Sequence, residues 1–136
     1  MHVIPYVFFD GRCEEALDFY RKAIGVVPGM MMRFGESPEQ GGMNAPPEKV
    51  MHAEFKLGDT TVFCSDGWAQ GKPKFEGFAL AIAAEDKSDC EKKFNALAEG
   101  GEVTQPLIET FFATSFGMLK DKFGVQWMLT VPKQPG

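Results

Sequence analysis

A chain of 136 residues, 44% of them hydrophobic and with a formal net charge of -5, has the size of one ordinary domain and can bury roughly two-thirds of its unfolded surface. No apolar run approaches the roughly 20 residues that cross a bilayer. No stripe of Lys and Arg is present to neutralise phosphates, and the Lys120 and Lys122 pair beside Asp121 is too small to serve, so membrane and nucleic-acid partners are set aside.

In chain order, the start Met1-His2-Val3-Ile4-Pro5-Tyr6 has neither the basic region nor the apolar stretch of a signal peptide, which makes a cytoplasmic protein the expectation. Val3 to Phe9 is apolar and β-rich and ends at the turn signal Asp10-Gly11, so it reads as a strand. Glu14 to Ile24 places Ala16, Leu17, Tyr20 and Ile24 on one helical face, with Gly25 as its stop. Val26 to Phe34, with the run Met30-Met31-Met32, reads as a second strand. Residues 35 to 48 hold three prolines and three glycines and predict a long loop. Val50 to Leu57 alternates, with Met51, Ala53, Phe55 and Leu57 against His52, Glu54 and Lys56, the pattern of a half-buried strand. Thr60 to Ser65 returns as its hairpin partner.

After a Gly- and Pro-containing linker, residues 67 to 76, the same order recurs. Phe78 to Ala83 reads as a strand, and a helix capped by Asp86 or Ser88 runs to Glu99. Val103 to Glu109, Phe111 to Leu119 and Val125 to Val131 read as three more strands. Phe19-x-x-x-Ala23-x-Gly25 in the first helix matches Phe94-x-x-x-Ala98-x-Gly100 in the second. The expectation is an α+β fold of two βαβββ modules, residues 1–66 and 77–132, in one domain spanning residues 1–136 with a curved mixed sheet and a shared cleft. The three cysteines, Cys13, Cys64 and Cys90, have no Cys-x-x-Cys spacing and read as reduced thiols.

The segments Pro5-Tyr6-Val7-Phe8-Phe9-Asp10-Gly11, Glu15-Ala16-Leu17-Asp18-Phe19-Tyr20, Met51-His52-Ala53-Glu54 and Ser65-Asp66 carry a family likeness. So do Glu109-Thr110-Phe111-Phe112 and Asp121-Lys122-Phe123-Gly124-Val125-Gln126-Trp127-Met128. Together they resemble the PhnB-like branch of the vicinal oxygen chelate superfamily, which includes glyoxalase I, bleomycin-resistance proteins and extradiol dioxygenases. The resemblance implies paired βαβββ modules around a cleft, commonly in a homodimer. Proteins of this branch often carry a demethylubiquinone methyltransferase label. The sequence lends it no support, since no strand is followed by the Gly-rich turn of a nucleoside-cofactor site.

Metal-dependent members draw one ligand from the first and one from the last strand of each module. That pattern falls on about Pro5, Phe63, Phe78 and Met128, none of which binds a hard divalent cation. The expectation is therefore no metal and no other cofactor.

His52 and Glu54 share one strand face about 7 Å apart, and an imidazole beside a carboxylate can act as a base. They are the candidate catalytic pair; the competing reading is a solvated polar face or a dimer contact. Phe63, Phe78, Phe112 and Met128 are candidates for an apolar binding wall, each also a plausible core residue. Trp127 alternates with Met128 and is expected to point into the helix-packed core, and Asp66 and Thr110 read as turn residues. The function expected is that of a small-molecule binding protein or enzyme, with a small organic molecule and a second copy of the chain as partners. Two alternatives stand beside it: a metal-dependent lyase or isomerase using His52 and Glu54, and an antibiotic- or toxin-sequestering protein without catalysis.

Overall fold

The structure is a computed structural model that describes residues 1–36, 46–67 and 72–133. The chain divides into two compact units, Met1–Pro73 and Lys74–Gly136. The first contains β1 (Tyr6–Phe8), α1 (Cys13–Ile24), β2 (Val27–Arg33), β3 (Val50–Leu57) and β4 (Thr60–Ser65), with a short 3-10 turn at Phe34–Glu36. The second contains β5 (Leu80–Ala83), α2 (Lys87–Ala98), β6 (Glu102–Ile108), β7 (Ala113–Lys120) and β8 (Gln126–Pro132). The sheets run β1-β4-β3-β2 and β5-β8-β7-β6. In each, the first strand pairs in parallel with the last and the remaining pairs are antiparallel. The fold is α+β, one βαβββ topology used twice. Among the described residues no helix is long and apolar enough to cross a membrane.

α1 forms because Cys13, Ala16, Leu17 and Tyr20 fall on one stripe, and all four are buried. Glu14 and Glu15 in its first turn and Arg21 and Lys22 in its last oppose the helix dipole. Gly25 ends it in the left-handed region (φ 70°), its N–H donating to Arg21, a conformation that costs glycine least. The start is held by tertiary structure, because Arg12 supplies no side-chain cap. Instead Asp66, at the end of β4, accepts from the Cys13 N–H at 2.8 Å and from the Val50 N–H at 2.7 Å. α2 begins with its own cap, Asp86 accepting from the Asp89 N–H.

The helix-covered face of the first sheet presents Val7, Ala53, Phe55, Val62 and Cys64, all buried. Tyr20 packs on Phe55 with ring centroids 6.0 Å apart. In the second unit Leu119, Trp127 and Leu129 fill the same layer beneath Phe94 and Leu97. The indole N–H of Trp127 donates to the buried carboxylate of Asp121 at 2.8 Å. That carboxylate also accepts from the N–H groups of Phe123 and Val125, so it fixes the turn that aims Trp127 inward.

Strand boundaries differ from the sequence reading where turns interrupt the apolar runs. β1 begins at Tyr6, with Val3 solvent-exposed. β5 begins at Leu80, after Gly77 with φ 79°. β7 begins at Ala113, because the Thr110 hydroxyl accepts from the N–H groups of Phe112 and Ala113 and closes a turn there. The buried helix aromatics that correspond by helix position are Tyr20 and Phe94, each seven residues after its helix start. Phe19 is one place off and only half-buried. Of the segment read as a loop, residues 37 to 45 lie outside the described residues, as do residues 68 to 71 of the linker.

Candidate functional site on the first sheet

Strand parity sets the chemistry of the sheet face opposite α1. Val7, Ala53, Phe55, Val62 and Cys64 turn toward α1, so Tyr6 and Phe8 of β1, Phe63 of β4, and His52 and Glu54 of β3 turn away from it. All five are half-buried. They converge across the strands. The Tyr6 hydroxyl lies 3.2 Å from His52 Nδ1. The His52 ring stands edge-on to Phe63 at 4.8 Å, and Tyr6 packs beside Phe8 at 4.9 Å. On β2, Met32 is the register partner of His52.

Burial raises the Tyr6 phenol above its ordinary value, with a hydrogen bond from Ser65 acting in the opposite direction. The hydroxyl is therefore protonated at neutral pH and can donate to Nδ1. A neutral imidazole that accepts at Nδ1 carries its proton on Nε2. In that tautomer His52 presents one N–H donor, held by Tyr6 and walled by aromatic rings.

Of the residues expected from sequence, His52, Glu54 and Phe63 come together on this face. Glu54 is the register partner of Phe63, and its side chain reaches over Gly29 of β2, where an added Cβ would meet Glu54 Cγ at 3.2 Å. The hydrogen bond to His52, however, comes from Tyr6, a residue the sequence reading did not single out. The signal was available in the Tyr6-Val7-Phe8 alternation, which puts Tyr6 opposite the buried Val7.

Phe78, Phe112 and Met128 belong to the second unit. Met128 lies on the face of its sheet opposite α2. Phe112 stands edge-on to Phe116 of β7 at 5.4 Å, and Phe78 precedes β5 and stands edge-on to Phe75 at 6.5 Å. Register makes Met128 the counterpart of Phe63, and Phe116 and Met118 the counterparts of His52 and Glu54. Ala81 takes the place of Tyr6. The second unit thus carries apolar residues at the positions of Tyr6, His52 and Glu54. An open cleft of about 490 Å³ between α2 and β6, bounded by Glu91, Phe94, Leu107 and Ile108, includes none of the residues expected from sequence.

The family's metal positions fit poorly to a hard cation here. Pro5, Phe63 and Phe78 have no side-chain donor, and Met128 offers only a thioether. Among the described residues no group of three or more His, Cys, Asp or Glu side chains is placed to hold a metal ion.

A family model described as 3-demethylubiquinone-9 3-methyltransferase matches residues 1–130. The chain belongs to this family, the PhnB-like branch of the vicinal oxygen chelate superfamily. Protein PA1353 from Pseudomonas aeruginosa is 38% identical with a TM-score of 0.87, covering 98% of this chain and 99% of that one. Protein YjdN of Escherichia coli is 32% identical over 98% of this chain and 97% of its own length. A Bacillus cereus PhnB protein, described as a putative 3-demethylubiquinone-9 3-methyltransferase, is 27% identical with a TM-score of 0.79, over 96% of this chain and 99% of that one. The fold alone is shared with a glyoxylase/bleomycin resistance protein/dioxygenase domain from Frankia, 14% identical with a TM-score of 0.70, over 98% of this chain and 97% of that one. This PhnB-like chain is therefore a generic enzyme or binding protein of the glyoxalase-type fold.

Proposed function

We propose that the chain binds a small organic molecule on the face of the first sheet that carries Tyr6, His52 and Phe63, and does so without a divalent metal. The observation that supports this reading is the Tyr6 hydroxyl against His52 Nδ1 between aromatic side chains. A histidine so oriented offers a donor to a carbonyl or carboxylate, and the flanking Phe8 and Phe63 suit a flat apolar body. With a ligand in place, the same imidazole is a base within reach of an acidic proton on it. Methyl transfer forms no part of the proposal, since it gives none of these residues a role. The edge strand β2 exposes Val27 and Met30, and the reading includes a homodimer that covers such an edge. It places the protein in the cytoplasm.

The test is a ligand-detected NMR screen of aromatic carboxylates and ketones against the wild-type, His52→Ala and Tyr6→Phe proteins, each freed of metal with a chelator. The proposal expects at least one class to bind the chelated wild-type protein and to lose affinity in both variants. Binding restored only by added zinc, nickel or manganese overturns its metal-free part. Binding indifferent to both substitutions overturns its site.

A further inference from the structure

The first unit contains a second chemical feature, on the opposite side of its sheet. Cys13, the first residue of α1, and Cys64, on the interior strand β4, bring their sulfurs within 3.5 Å across the core, and both side chains are fully buried. They are 51 positions apart in sequence, so the fold alone creates this pair. We propose that Cys13 and Cys64 form a redox modification site, a dithiol that a peroxide converts into an intramolecular disulfide joining α1 to β4.

The geometry supports closure within the native fold. A disulfide needs its sulfurs about 2 Å apart, so the gap closes by roughly 1.5 Å. β4 cannot supply that movement easily, because Cys64 is paired with Val7 of β1 on one side and Ala53 of β3 on the other. The first turn of α1 can once the bond from the Cys13 N–H to Asp66 is broken, because Arg12 supplies no side-chain cap to hold it. Contact with Cys64 and burial keep the Cys13 thiol protonated at neutral pH, so reaction proceeds through local opening of that turn rather than from the closed state.

The chemistry balances with the peroxide as the only co-reactant. In the opened state one thiol loses its proton to solvent and its sulfur attacks a peroxide oxygen. The O–O bond breaks, hydroxide leaves and a sulfenic acid forms. The second thiol then attacks that sulfur, the S–S bond forms, the S–O bond breaks and water departs. Two thiols lose two electrons, and hydrogen peroxide is reduced to two waters.

The test treats the full chain with hydrogen peroxide, quenches the peroxide, unfolds the protein in guanidinium, alkylates the remaining thiols, and reads intact mass and a non-reducing peptide map. The expected product is lighter by about 2 Da, with a peptide linking Cys13 to Cys64. Alkylation falls from three sites to one, at Cys90, and a thiol reductant restores all three. Asp66→Asn, which loosens the first turn of α1, should speed the loss of both thiols roughly tenfold. The site is refuted if both cysteines remain alkylatable after peroxide or if either gains two oxygens without a cross-link. It is equally refuted if the link runs between two chains. Because the primary result comes from the wild-type protein, a poorly folding variant does not decide it.

Discussion

The two faces of β3 predict opposite consequences for two substitutions three residues apart. Phe55 is 1% exposed and its ring packs on Tyr20 of α1. Truncation to Ala leaves a cavity that the sheet and helix cannot fill, and buried Phe→Ala changes cost about 3–5 kcal/mol. In a domain of this size, with roughly 3–5 °C of melting temperature per kcal/mol, the midpoint should fall by about 10–20 °C. His52 is half-buried on the other face and holds one hydrogen bond to Tyr6 and an edge contact with Phe63. Its loss removes about 1 kcal/mol for the hydrogen bond and a similar amount for the ring contact, and partial exposure lets water satisfy the tyrosine. His52→Ala should therefore lower stability by at most about 2 kcal/mol while weakening ligand binding by about 1–3 kcal/mol. Urea denaturation followed by far-UV circular dichroism, paired with a binding titration, separates the two. A His52→Ala protein that unfolds as readily as Phe55→Ala would refute the face assignment and the site built on it.

Three further outcomes are expected. Asp66→Asn keeps the shape of a side chain that accepts two buried backbone N–H groups but turns one acceptor into a donor. It should cost about 2–4 kcal/mol in urea denaturation, and a loss under 0.5 kcal/mol would show the contacts to be incidental. Gly117→Ala places a Cβ 2.8 Å from both Leu107 Cδ2 and Phe94 Cε2, so it should destabilise by about 1–3 kcal/mol through overpacking; a neutral result would mean that α2 sits further from β7. For Tyr6, a raised phenol pKa means that the folded state holds the proton more tightly than the unfolded chain. Its stabilising contribution is complete below the ordinary phenol value and is lost as pH rises through the folded value. Thermal stability should fall more steeply above about pH 10 in the wild type than in Tyr6→Phe, and identical profiles would show that Tyr6 does not contribute.

Much of the fold was legible because alternation and helical spacing are local signals. Val50 to Leu57 announced a half-buried strand, and the structure gives β3 those bounds with Ala53 and Phe55 inside. What escaped were features made by residues distant in sequence. Asp66 looked like a turn residue, yet its carboxylate reaches back 53 positions to start α1. The Tyr6 contact to His52 spans 46 positions, and only the insertion of β4 between β1 and β3 brings the two together. Cys13 and Cys64 lacked any motif spacing for the same reason. Helix register also misled, since Phe19 matched Phe94 by sequence pattern while Tyr20 occupies the buried place.

The duplication adds an argument about where chemistry resides. Beneath the helices the two units solve one packing problem with different volumes: Ala53 corresponds to Gly117, Phe55 to Leu119, and Val62 to Trp127. The smaller glycine and leucine accompany the larger tryptophan, and this compensation conserves a close-packed layer. On the opposite face no such compensation operates. Tyr6, His52 and Glu54 give way to Ala81, Phe116 and Met118, so these three ionisable groups have no counterpart, whereas Lys56 at the strand end is matched by Lys120. Packing does not require a hydroxyl, an imidazole and a carboxylate together on one copy, because the other copy folds with apolar groups in their places. A half-buried polar set also costs desolvation that the apolar set avoids. Its presence in the first unit alone is what a ligand-binding role for that unit would demand. Phe116→Ala should leave untouched any affinity that depends on the Tyr6 and His52 hydrogen bond, while Tyr6→Phe should reduce it.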